Sequence, residues 1–94
     1  MPKVRLGRTE SALSSELIRA ARALLRWEQR DLEIASSVSL PTIKRLESKP
    51  GVMAAHLSTV VALRRALEAA GIEFIDENGG GPGVRLRKRQ RKRD

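Results

Sequence analysis

Apolar residues recur at helical spacing from residue 14 onward, and this periodicity predicts four helices. We place them at about residues 15–26, 29–36, 40–48 and 59–70. Ser14 or Ser15 is expected to cap the first helix, because a serine hydroxyl accepts a hydrogen bond from a free N–H of the first turn. Ser39 and Ser58 are expected to cap the third and fourth helices for the same reason. Gly71 is expected to end the fourth helix in the left-handed conformation.

The hydrophobic period changes from helical to alternating after Gly71. Residues 72–75 and 84–87 are predicted as strands joined by the glycine-rich turn 78–83. Because a two-stranded ribbon is marginal alone, it must lie on the helices, pair with a second subunit, or both. The fold expected is therefore mainly α, with four helices followed by a C-terminal two-stranded β-ribbon.

The predicted organisation has four parts. They are a mobile N-terminal arm at 1–13, a helical domain at 14–71, the ribbon at 72–87 as a dimerisation element, and a disordered basic tail at 88–94.

Composition excludes several classes of function. The chain has no cysteine, and His56 is its only histidine, so thiolate sites, histidine metal clusters and a conventional catalytic triad are excluded. We expect no enzyme activity, no cofactor and no small-molecule ligand. No apolar run is long enough to span a membrane, and no apolar segment follows the basic N-terminus as an export signal requires. The expected location is the cytoplasm, in association with the nucleoid.

Net charge points to a nucleic-acid partner. The formal charge is +8, yet residues 15–84 contain nine basic and nine acidic residues, so the excess lies in the two ends. Residues 85–94 alone carry seven basic residues and one acidic residue. Such ends add salt-dependent phosphate contacts but carry little sequence information. Any recognition of a specific nucleic-acid sequence must therefore depend on individual residues of the neutral span.

A family pattern runs through that neutral span. It is carried by RAARALLRWEQRDLEIASSVSLPTIKRLE, which contains Trp27, Gln29, Leu32, Val38, Ser39, Thr42, Ile43, Leu46 and Glu47, and by the ending ALEAAGIEFIDENGGGPGVRL. From about Ile18 to Leu67 the chain resembles the XRE/Cro-like helix-turn-helix regulators, which are related to phage repressors, and its ending resembles that of many short bacterial members of this family. The resemblance implies a four-helix repressor-like domain in which helix 40–48 enters the major groove of double-stranded DNA.

The resemblance also implies roles for individual residues. Those implied to contact bases are Leu40, Pro41, Lys44 and Arg45. Those implied to contact the DNA backbone are Gln29, Ser39, Thr42 and Lys49. Arg22 and Glu47 match an ion pair that joins the first helix to the recognition helix. For Arg87, Lys88, Arg89 and Arg91, tail contacts with DNA and a merely solubilising role both remain open.

The chain departs from the family pattern at the first helix of the motif and at the turn. Glu28 stands where Ser or Thr is usual, Glu33 where Ala is usual, and Ser36-Ser37 where Ala-Gly is usual. A buried Glu33 needs a partner, for which Arg30 and Lys49 are the candidates. A serine in place of the turn glycine must either strain the turn or reshape it.

The function expected is a sequence-specific transcriptional regulator, acting as a homodimer on a near-palindromic operator and controlling its own operon. The alternative is a protein-interaction module, similar to an antitoxin or adaptor, in which specific DNA binding is weakened or lost. A third hypothesis is nonspecific nucleic-acid binding by the tail alone.

Overall fold

Four helices and a two-stranded antiparallel sheet make up residues 13–88, the part of the chain that this computed structural model describes. The helices are α1 (Ser15–Leu25), α2 (Gln29–Ser36), α3 (Leu40–Ser48) and α4 (Leu57–Ala69), and the strands are β1 (Ile72–Ile75) and β2 (Gly83–Leu86). The mainly α architecture with a C-terminal ribbon is therefore confirmed. The longest helix, α4, has 13 residues, and no helix within the described range is long and apolar enough to cross a membrane.

The start of α1 is set by Ser14 rather than Ser15. The Ser14 hydroxyl accepts a hydrogen bond from the Leu17 N–H at 3.1 Å, whereas Ser15 lies buried inside the helix. One face of α1 buries Ile18 and Ala21 in the core. The helix ends when Arg26 adopts the left-handed conformation, with φ of 61°.

The predicted start of α4 was wrong by two residues. The helix begins at Leu57, and His56 occupies the cap position without a side-chain capping bond. The His56 carbonyl accepts the N–H groups of Thr59 and Val60 at 3.0 and 3.1 Å, so the backbone closes this first turn without Ser58 as its cap. At the other end Gly71 has φ of 115°, as predicted for a residue that terminates a helix.

The core is aliphatic and draws on every helix and on β1. Its buried apolar residues are Leu13, Ile18, Ala21, Leu32, Ile43, Leu46, Met53, Val60, Leu63, Ala66, Leu67 and Ile72. Leu13, predicted as the last residue of a mobile arm, belongs to this core and is only 1% exposed. The Leu13 carbonyl accepts the Met53 N–H at 3.0 Å, so the connector between α3 and α4 ties it down. The rest of the predicted arm lies outside the described residues.

The ribbon lies on the helices. Ile72 pairs with Leu86 and Phe74 with Val84. Ile72 is buried, and Phe74 and Val84 pack against the core, whereas Leu86 stays 51% exposed. Strand β1 contacts α4 and β2 contacts α1, so the ribbon covers the two outer helices of the motif. On the opposite face Arg85 forms a 3.0 Å ion pair with Glu73.

Candidate functional site

A buried carboxylate joins the first three helices. Glu47 of α3 accepts two hydrogen bonds from the Arg22 guanidinium of α1, at 2.9 and 2.7 Å, and one from the Gln29 amide of α2, at 3.0 Å. The Glu47 side chain is 4% exposed and that of Arg22 is 17% exposed, so this bidentate pair is largely shielded from water. Arg22 also donates to the Trp27 carbonyl at 3.0 Å. The ion pair implied by the resemblance is present, and it fixes α3 against α1.

The Gln29 amide lies toward this ion pair. An amide carries two N–H donors, and the bond to Glu47 occupies one of them. Next to it, the Glu28 N–H donates to the Asp31 carboxylate at 2.8 Å, and both of these acidic residues are exposed. The start of α2 thus exposes two carboxylates to solvent.

The turn between α2 and α3 is held by side chains in place of a glycine. Ser37 adopts the left-handed conformation with φ of 64°, so the serine strains the turn rather than reshaping it. The Ser36 hydroxyl accepts the Val38 N–H at 3.0 Å across the same turn. The turn therefore keeps the backbone conformation that glycine would adopt more easily.

Glu33 closes the turn from the α2 side. Its Oε2 accepts a hydrogen bond from the Leu40 N–H, the first of α3, at 3.0 Å. The expected partners of Glu33, Arg30 and Lys49, are wrong: among the described residues Glu33 forms an ion pair with neither, and a backbone N–H takes their place. The missed signal was the seven-residue spacing, which spans the turn and brings a long acidic side chain over the start of the next helix.

The outward face of α3 collects the predicted base-contacting residues. Pro41, Lys44, Arg45 and Ser48 are all exposed, and their spacing places them on one stripe of the helix. Leu40 lies half-buried at the edge of this stripe, while Ile43 and Leu46 point into the core. One continuous exposed surface therefore carries two cations and an apolar tip.

The predicted backbone-contacting residues flank this stripe. Ser39 is exposed at the start of α3 and Lys49 just after its end. The Ser39 hydroxyl caps α3 by accepting the Thr42 N–H at 3.4 Å and donates to the Thr42 hydroxyl at 2.9 Å. An open depression of about 460 Å³ adjoins this part of α3 and is lined by Thr42, Arg45, Ala54, Ala55, His56 and Thr59.

The residues predicted as tail contacts are described only in part. Arg87 extends the ribbon through a 2.7 Å bond from its N–H to the Gly71 carbonyl, and its guanidinium donates to the Glu68 carbonyl at 3.2 and 3.3 Å. Arg87 thus contacts the end of α4, and Lys88 after it is exposed. Arg89 and Arg91 lie outside the described residues.

No family model matches the chain, and no curated protein is detectably similar to it.

Proposed function

We propose that the chain is a sequence-specific DNA-binding transcriptional regulator that places α3 in the major groove of a near-palindromic operator. The observation that supports this proposal best is the exposed stripe of Pro41, Lys44 and Arg45 on the second helix of a two-helix unit. A recognition helix needs such a face, with side chains for base edges and an inner side anchored in a core. The resemblance to XRE/Cro-like regulators supports the same assignment.

The chemistry of the stripe suits base reading. Arg45 presents a planar guanidinium that can bond guanine O6 and N7 together, and a good pair of this kind contributes about 1–3 kcal/mol of discrimination. Lys44 adds a second donor beside it. Leu40 and Pro41 offer apolar contact to a thymine methyl group.

Backbone contacts would orient α3 in the groove. Thr42 and Lys49 lie beside the stripe, where they can donate to phosphate oxygens. Ser39 lies there too, and a phosphate contact by its hydroxyl would replace the bond that it donates to Thr42. A phosphate contact by Gln29 would use the amide N–H that Glu47 does not take. These contacts would set the register of α3, while the stripe would supply the specificity.

A homodimer fits this proposal because one helix contacts few base pairs, and two half-sites are needed for useful specificity. The ribbon is the proposed dimerisation element: Leu86 and Ile75 are partly exposed on it, and the outer edges of the ribbon carry unpaired backbone groups. Such a regulator would act in the cytoplasm, bound to the nucleoid, and control its own operon.

The test combines a gel shift with a footprint on the DNA upstream of the coding sequence. At physiological salt the chain should protect a two-fold symmetric site. Arg45→Ala should lower the preference for this site over unrelated DNA at least fivefold, because losing the guanine contact removes about 1 kcal/mol or more of discrimination.

The matched control is Arg65→Ala. This change also removes an exposed arginine, but on α4 and outside the stripe, so site preference should stay at the wild-type level. Absence of any protected site in the wild-type footprint would reject the proposal.

The second candidate is a protein-interaction module related to antitoxins or adaptors. It is favoured by Ile34 of α2, which is 72% exposed, and by the acidic start of α2, where Glu28 and Asp31 would repel phosphate. Arg45→Ala separates the two candidates, because unchanged biological activity in that variant supports the interaction module and its loss supports DNA reading.

A further inference from the structure

We infer that Glu33 is a specificity-determining residue that makes the tip of α3, the segment 39–41, reject guanine. This inference rests on the proposed function. The juxtaposition that carries it is the Glu33 carboxylate bonded to the Leu40 N–H, directly beside the exposed Pro41.

The first N–H groups of a helix have no partner within the helix. At the end of a recognition helix that enters the groove, such a donor would attract an acceptor, either a phosphate oxygen or guanine O6 or N7. Glu33 occupies the Leu40 N–H at 3.0 Å and so removes this donor. The Glu33 carboxylate, an acceptor, therefore takes the place of the N–H donor at the tip.

A carboxylate discriminates between the two bases of a G·C pair. It repels the O6 and N7 acceptors of guanine and accepts a hydrogen bond from the N4 amino group of cytosine. Glu33 is half-buried, and within residues 13–88 no hydrogen bond to its Oε1 is formed, so this oxygen keeps its capacity to accept from such a donor. The expected result is cytosine in preference to guanine at the tip position.

The spacing along α3 separates this position from the one that Arg45 reads. A helix rises 1.5 Å per residue, so Arg45 is about 7.5 Å along the axis from Leu40. At about 3.4 Å per base pair, this distance corresponds to at most roughly two base-pair steps along the DNA axis. Guanine should therefore be selected by Arg45 and excluded by Glu33 within about two base pairs of that position.

The experiment is selection from DNA randomised over a half-site, with the full chain and its Glu33→Ala and Glu33→Gln variants. Wild type should deplete guanine relative to cytosine at the tip position by about tenfold. Glu33→Ala frees the Leu40 N–H, and Glu33→Gln keeps an oxygen to cap it while adding an amide donor. In both variants the depletion should disappear, while guanine remains selected at the Arg45 position, which Arg45→Ala identifies.

Glu77→Gln is the matched control, because it removes the same charge from an exposed residue of the ribbon turn and should leave both positions unchanged. If the Glu33 variants lose base preference equally at the tip position and at the Arg45 position, Glu33 has a merely structural role and the inference is overturned. If both variants still deplete guanine at the tip position as wild type does, the inference is overturned as well, while the proposed function stands. If wild type enriches no sequence at all, the proposed function itself fails.

Discussion

Ser37 holds the turn between α2 and α3 in a conformation that its own side chain opposes. Its φ of 64° and ψ of 15° lie in the left-handed region, where a Cβ atom crowds the following carbonyl oxygen. The surrounding bonds from Val38 to Ser36 and from Leu40 to Glu33 maintain this conformation. The strain at one residue is therefore balanced by side-chain bonds on both sides of it.

Replacing Ser37 tests this strain. Ser37→Gly should raise the free energy of unfolding by up to about 1 kcal/mol, because relief of strain exceeds the extra entropy of glycine in the unfolded chain. Ser37→Val should lower it by about 1–2 kcal/mol, because a β-branched residue tolerates this conformation less well. Urea denaturation measures both changes. A valine variant as stable as wild type would contradict the claim that the backbone is strained at this position.

Removal of Arg22 should lower the stability of the fold. Arg22→Met would leave the Glu47 carboxylate buried without its cation, and breaking a buried pair from one side costs about 3–5 kcal/mol. Because Arg22 keeps some exposure, the lower end, about 3 kcal/mol, is expected in urea denaturation. The control is Arg85→Met, which breaks the exposed pair with Glu73 and should cost under about 1 kcal/mol. Equal losses in the two variants would rule out a special contribution of the buried pair.

At the scale of elements, α1 is also tied to the connector between α3 and α4. The Glu16 carboxylate accepts the Gly51 N–H at 3.1 and 3.3 Å, and this bond lowers the pKa of Glu16 from its ordinary value of 4.5. The hydrogen bond and charge of Arg85 lower the pKa of Glu73 in the ribbon in the same way. Both carboxyls therefore bind fewer protons in the folded chain than in the unfolded chain near pH 4.

The pH dependence of unfolding follows from these two pKa shifts. Their contribution to stability is complete above the ordinary pKa of 4.5 and is lost as the pH falls through the lowered values of the folded chain. Glu16→Gln and Glu73→Gln should each flatten the fall in stability below pH 4.5, and the double variant should flatten it more. Urea titrations across this range measure the slope, and an unaltered slope in the double variant would show that neither bond matters.

Elements whose signals are local were predicted well, and those that depend on distant residues were not. The bounds of α2 and α3 agree with the prediction, because a serine cap, a first-turn proline and helical periodicity all act within a few residues. The burial of Leu13 depends on residue 53 and was missed. The start of α4 was misplaced because Ser58 resembles a cap in sequence, whereas the path of the connector decides where the helix begins.

At the scale of the whole molecule, the basic ends and the stripe on α3 have separable roles in the proposed function. Five of the basic residues lie in 88–94, and the span 15–84 carries no net charge. Affinity and its salt dependence are therefore assigned to the ends, and sequence choice to α3.

Deleting residues 88–94 tests this division. Operator binding should weaken, and the slope of log K against log salt should become shallower by about 0.9 for each lost phosphate contact. The preference for operator over unrelated DNA should stay close to wild type in gel shifts across a salt series. Complete loss of binding would instead support nonspecific binding by the tail alone.

The sequence by itself determined the four helices and the ribbon to within two residues, because periodicity and capping are properties of neighbouring residues. It also indicated the outward residues of α3 and the Arg22–Glu47 pair, but only through a family resemblance. The tertiary structure alone decided which groups the polar side chains meet: Glu33 bonds the Leu40 N–H, Gln29 bonds Glu47, and Arg87 bonds the end of α4. These partners depend on how the helices pack, because a long polar side chain bonds whichever group the fold brings within about 3 Å of it.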